Sequence, residues 1–96
     1  MNVQLTNIDN LRMIDRNKAA GNATFEIDGS TYHAELIFYL QSDYCLSIRA
    51  RRCGEGLTTE RVEEYLKMNR TDMKRGINPE VVRLRQQQRE AIYGAE

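Results

Sequence analysis

At 96 residues, 41% of them hydrophobic and 29% charged, the chain is long enough to close one core as a single α+β domain over residues 1–96, without disulfides or a structural metal. Its formal net charge is zero, which excludes the whole-molecule attraction to nucleic acid or anionic membrane that strongly basic proteins have. Any basic footprint must be local: residues 1–48 hold 3 Lys+Arg against 6 Asp+Glu, a balance of −3, and residues 49–96 hold 11 against 8, a balance of +3.

The first 22 residues support two readings. Val3 and Leu5 alternate as in a strand, and Leu11 with Met13 would continue one. Thr6 followed by Asp9 would instead open a helix through Ile8, Leu11 and Ile14 that stops at Gly21. The Asn and Asp residues in this segment disfavour the interior of either element.

From Ala23 to Cys53 the alternation of apolar and polar residues persists through two turns, which predicts an antiparallel β-meander of three or more strands near 22–28, 31–40 and 44–53. Ala23, Phe25 and Ile27 face inward on the first of these. Tyr32, Ala34, Leu36, Phe38 and Leu40 do so on the second, and Tyr44, Leu46, Ile48 and Ala50 on the third. Asp28, Gly29 and Ser30 form a tight turn, and Gln41 to Asp43 a longer one. Pairing Leu40 with Tyr44 sets Glu35 opposite Arg49 and His33 opposite Arg51. Pairing Ile27 with Tyr32 adds Glu26 beside His33.

Two helices follow, near 58–69 and 78–93. Thr58 is placed as N-cap of the first, with Leu57 and Val62 as a hydrophobic staple and Val62, Tyr65 and Leu66 as the buried stripe. Asn78 is placed as N-cap of the second, with Pro79 at its first position, and the polar link from Arg70 to Gly76 has room for a further turn around Met73. The helices pack on one face of the sheet. Phe25, Leu36, Phe38, Leu46 and Ile48 are expected to meet Val62, Leu66, Val81, Leu84 and Ile92 there.

Catalytic motifs are missing. One histidine and two cysteines eight residues apart do not make a zinc site, and no HExxH, CxxC, EF-hand, Walker or GxGxxG spacing occurs. Cys45 and Cys53 on one strand stand roughly 26 Å apart, too far to bridge. No apolar run reaches the roughly 18 residues of a membrane span and no signal-like segment opens the sequence, so the expectation is a cytoplasmic protein with free thiols, no membrane partner, no cofactor and no metal. His33 with Glu26 as orienter is the one acid–base pairing in reach, and nothing nearby supplies a nucleophile.

Binding is the better reading, and the expectation is a non-enzyme. Ile37 and Tyr39 fall on the outer side of the middle strand, flanked by Arg49 and Arg51, and the last helix carries Arg85 and Arg89. Tyr, Arg and exposed aliphatic residues are the types that concentrate interface energy, so these six are the candidate protein-contact residues. Ile37 and Tyr39 have a second reading, as a small extra core covered by the terminal segment or a helix. The alternative function is nucleic-acid binding through the strand end Arg49, Arg51 and Arg52 and the helical Arg83, Arg85 and Arg89. A helix-turn-helix fits poorly, because Glu80 stands at the groove-facing helix start.

A small chain with a sheet, two capped helices and no catalytic signature resembles phage and mobile-element accessory proteins. That resemblance implies a modulator or inhibitor that binds a host complex. Edge strands also leave a homodimer open.

Overall fold

The structure, a computed structural model, describes the backbone of residues 3–93 and the side chains of residues 3–90. Four antiparallel strands run in the order β1 (Val3–Asp15), β2 (Lys18–Ile27), β3 (Ser30–Gln41) and β4 (Tyr44–Cys53), each paired with its chain neighbour. Two helices follow, α1 (Thr59–Met68) and α2 (Arg70–Tyr93). The arrangement is α+β, a meander with two C-terminal helices.

The β2–β3 ladder is unbroken, from Lys18 opposite Tyr39 to Ile27 opposite Ser30. Asp28 and Gly29 alone make the turn, both at positive φ (51° and 82°), the twist a two-residue hairpin requires. Ile27 therefore does not face Tyr32, and Glu26 pairs with Thr31 rather than His33. His33 lies opposite Thr24, its Nδ1 3.5 Å from the hydroxyl oxygen. The expected row of Glu26, His33 and Arg51 does not form.

β4 departs from strict alternation twice. Tyr39 faces Ser47 while Leu40 faces Cys45, so Leu46 is an extra, bulged residue; Glu35 faces Arg52 while Leu36 faces Ala50, so Arg51 is another. Each bulge shifts the phase by one. Cys45, not Leu46, enters the core, and Leu46 and Tyr44 are both 45% exposed. Ile37, not Glu35, faces Arg49.

β1 is a strand, and its bulges explain why the segment also reads as a helix. Breaks in register fall at Thr6, at Asn10 and Leu11, and at Ile14, with Asn10 at φ 51°, a left-handed conformation that asparagine tolerates better than most residues. The first two breaks each stretch the inward spacing from two residues to three. Leu5, Ile8 and Leu11 thus share one face at the interval a helix would use.

α1 starts as its sequence predicts, with the Thr58 hydroxyl accepting from the Arg61 N–H at 3.2 Å and Val62 and Leu66 buried. α2 begins at Arg70, eight residues before the expected start at Asn78, and Pro79 lies inside it. One residue, Asn69, separates the helices: its N–H donates to the Tyr65 carbonyl at 3.0 Å, and its carbonyl accepts from Met73 at 2.9 Å. Met73, Ile77, Val81 and Leu84 form one continuous buried stripe at spacings of four, four and three. That stripe outweighs the hydrogen bond Pro79 cannot make. Asn78 caps a strand instead, its Oδ1 accepting from the Cys45 N–H at 3.1 Å.

The helices cover one face of the sheet, where Phe25, Leu36, Phe38, Val62 and Val81 are wholly buried and Ile48, Leu66 and Leu84 nearly so. The expected contribution of Ile92 lies outside the described side chains. Tyr65 meets Phe25 edge to face, with centroids 5.4 Å apart, and its hydroxyl accepts from the Leu5 N–H on the β1 edge at 3.3 Å. On the other edge Glu63 accepts from the Ala50 N–H at 2.9 Å. Helical side chains thus occupy backbone donors of both edge strands. No described helix is long and apolar enough to cross a membrane.

Candidate interaction face

The helices leave the other face of the sheet bare, and the register lays it out in rows. Lys18, Tyr39 and Ser47 form one row, Arg12, Ala20, Ile37 and Arg49 the next, and Asp9, Asn22, Glu35 and Arg52 the third. Ile37 at 7% and Ala20 at 0% exposure are buried within this face although no helix lies over them. Long side chains in the same and adjoining rows close over a branched one, as stems of Arg and Lys commonly do. The expectation of an exposed Ile37 is therefore corrected: it is the floor of the face rather than an accessible anchor. Tyr39 stays accessible at 36%.

Three arginines of this face, Arg12, Arg49 and Arg51, are answered locally. Glu35 holds two arginines, Arg12 at 2.8 Å and the bulged Arg51 at 3.4 Å. Arg49 reaches over the edge of β4 to Glu63 at 3.2 Å, the carboxylate that also takes the Ala50 N–H. Lys18 Nζ lies 5.6 Å from the centre of the Tyr39 ring, a cation–π contact. Arg52, which strand parity would have sent toward the core, emerges on this outer face because the Arg51 bulge reverses the phase. Exposed pairs of this kind add at most about 1 kcal/mol each to stability, so their main effect is to set the pattern of the surface.

Two shallow depressions flank Ile37. One, of about 470 Å³, lies between Tyr39, Ser47, Arg49 and Glu63. The other, of about 480 Å³, includes His33, Glu35, Arg52 and Asp9. Among the described residues no group of three or more His, Cys, Asp or Glu stands where it could hold a metal ion.

The helical arginines lie elsewhere. Arg83 pairs with Glu80 one turn back, at 2.6 Å. Arg85 is committed inward: it donates to the Ser42 and Arg16 carbonyls at 2.8 and 2.7 Å, to Asn17 Oδ1 at 2.9 Å and to Gln88 Oε1 at 3.0 Å. It ties the β1–β2 and β3–β4 turns to α2. Arg89 is exposed beyond that clamp. Structure thus brings Tyr39, Arg49, Arg51 and Arg52 onto one face and leaves Arg83, Arg85 and Arg89 off it.

Lys18, Arg12 and Glu63 belong to the face and were not singled out in sequence. Arg12 and Lys18 sit in the segment whose structure was undecided, and Glu63 reaches the sheet from a helix, which strand periodicity does not register. No family model matches the chain, and no match is found among curated proteins or solved structures.

Proposed function

We propose that the chain is a small non-enzymatic protein-binding module whose contact surface is the bare sheet face around Tyr39, Arg49, Arg51 and Arg52, with Lys18 and Arg12 beside them. One observation carries this reading: Tyr39 stands accessible among arginines that already have acidic neighbours, Glu35 and Glu63. A mixed-charge rim around an aromatic is suited to a protein partner. A phosphate track would leave its cations unanswered. A module of this size acts by occupying a partner's surface, in keeping with a modulator or inhibitor of a larger complex such as phage and mobile-element accessory proteins provide. Two free thiols accord with a cytoplasmic setting.

Nucleic-acid binding is the second reading, supported by the cation–π pair of Lys18 and Tyr39, which offers a base a stacking surface next to a positive charge. Affinity capture with immobilised wild-type protein and with Tyr39→Ala/Arg49→Glu, followed by mass spectrometry, tests the first reading. A partner retained by the wild type and lost by the variant is expected; equal capture by both overturns the assignment of this face. A mobility shift with single- and double-stranded nucleic acid at low salt, abolished by raising salt, would favour the second reading instead.

A further inference from the structure

The helix layer leans toward β4, and the inner side of β1 is left half-covered. Leu5, Ile8 and Leu11 are only partly buried there, and across from them Met73 and Ile77 of α2 form an apolar wall. Between the two lies an open groove of about 730 Å³. It follows β1 from Leu5 to Leu11, roughly 20 Å at strand rise, which is the length of a helical segment of about 14 residues.

The rim has a sign. Asp72 and Glu80 line it against one cation, Arg83, and that cation is already paired with Glu80; Asp9 also borders the groove, but its register places it on the outer face. Its α2 wall also contains Gly76, at an interior helical position. Gly76 has no positive φ, and a Cβ placed on it meets no atom within 4 Å. Neither backbone conformation nor packing within the chain requires glycine there, and glycine weakens a helix interior. A missing side chain on a groove wall lets another backbone approach closely.

Strand addition at β1 is obstructed, because the edge is bulged at Thr6, Asn10 and Ile14 and the Leu5 N–H is taken by Tyr65. Recognition here must therefore run through side chains. We infer that the groove between β1 and α2 takes an amphipathic helical segment of a partner protein, seating its apolar face on Leu5, Ile8, Leu11, Met73 and Ile77 and its lysines or arginines against Asp72 and Glu80. This site is on the helix-bearing side of the sheet and stands independently of the outer-face reading.

The probes are an amphipathic Leu/Lys peptide of about 14 residues, roughly 20 Å as a helix, and its Leu/Glu counterpart. Each is titrated into the full chain while amide chemical shifts are followed. Saturable shifts confined to Leu5–Leu11 and Asn69–Arg83 are expected with the Leu/Lys peptide, and none with Leu/Glu. Asp72→Lys/Glu80→Lys reverses the preference. Gly76→Ala raises the melting temperature, and Gly76→Leu weakens binding by about tenfold or more, converted from the loss of one good apolar contact. Tyr39→Ala leaves the binding unchanged. Equal response to both peptides, no response in the groove up to saturating peptide, or full affinity in Gly76→Leu overturns the inference.

Discussion

Three side chains carry unequal burdens for their size. Phe38 is fully buried at the centre of the helix-covered face, and Phe38→Ala should cost about 3–5 kcal/mol in denaturant unfolding, because the sheet cannot collapse into the space left. Arg85 holds two turns that are far apart in sequence. Arg85→Ala should lower stability by roughly 1–3 kcal/mol, the range for hydrogen bonds to a charged group, and speed amide exchange around Asn17 and Ser42; exchange unchanged at both turns would show that the clamp is incidental. Cys45 is the third. Burial pushes its thiol from 9.0 up to about 11, opposed more weakly by Lys74 and by a backbone hydrogen bond at Ser47. The folded state thus keeps a proton that the unfolded state releases, so the contribution is fully present below pH 9 and is lost as pH rises toward 11. Unfolding measured across that window should show the wild type losing more stability than Cys45→Ala, and iodoacetamide should modify the half-exposed Cys53 first.

At the scale of elements, the informative departures are a proline that does not start a helix and strands that do not keep a period of two. Pro79 removes one intrahelical bond from α2, leaving the Arg75 carbonyl without its usual partner. Pro79→Ala restores the donor, and since interior proline costs up to about 3 kcal/mol relative to alanine, a gain of roughly 1–2 kcal/mol is expected by thermal unfolding. A loss would mean that proline is accommodated here by a local bend that the packing against β4 depends on. Asn78–Pro79 looked like a start because cap chemistry is local, while the Met73–Leu84 stripe that carries the helix through it is a property of packing. The same distinction governs the sheet. The place of the turn at Asp28–Gly29, though not its register, and the cap at Thr58 are legible because each depends on a few adjacent residues. The bulges at Leu46 and Arg51 are not, since Tyr44, Leu46, Ile48 and Ala50 alternate without a break, and only pairing with β3 selects which of them turn in. The candidate face inherited that error: Tyr39 and Arg49 were placed on the correct side, Ile37 was placed there but is buried, and Arg52 arrived only through the bulge.

For the whole molecule, the open question physics can address is assembly. A four-stranded open sheet has two edges, and unpaired edges recruit other strands. Here both are obstructed by different means. β1 is broken by its bulges and gives its Leu5 N–H to Tyr65, while β4 is bulged twice and gives its Cys45 and Ala50 N–H groups to Asn78 and Glu63. The helices that build the core therefore also protect the sheet from extension. Sedimentation should accordingly find a monomer of 11.2 kDa for the wild type. Glu63→Ala/Asn78→Ala frees two donors on one edge, and self-association that grows with concentration is expected in that variant. Tyr39→Glu separates the remaining possibility. A wild-type dimer dissolved by this substitution would lie on the bare sheet face, whereas one that persists would show that the edges are open despite their caps.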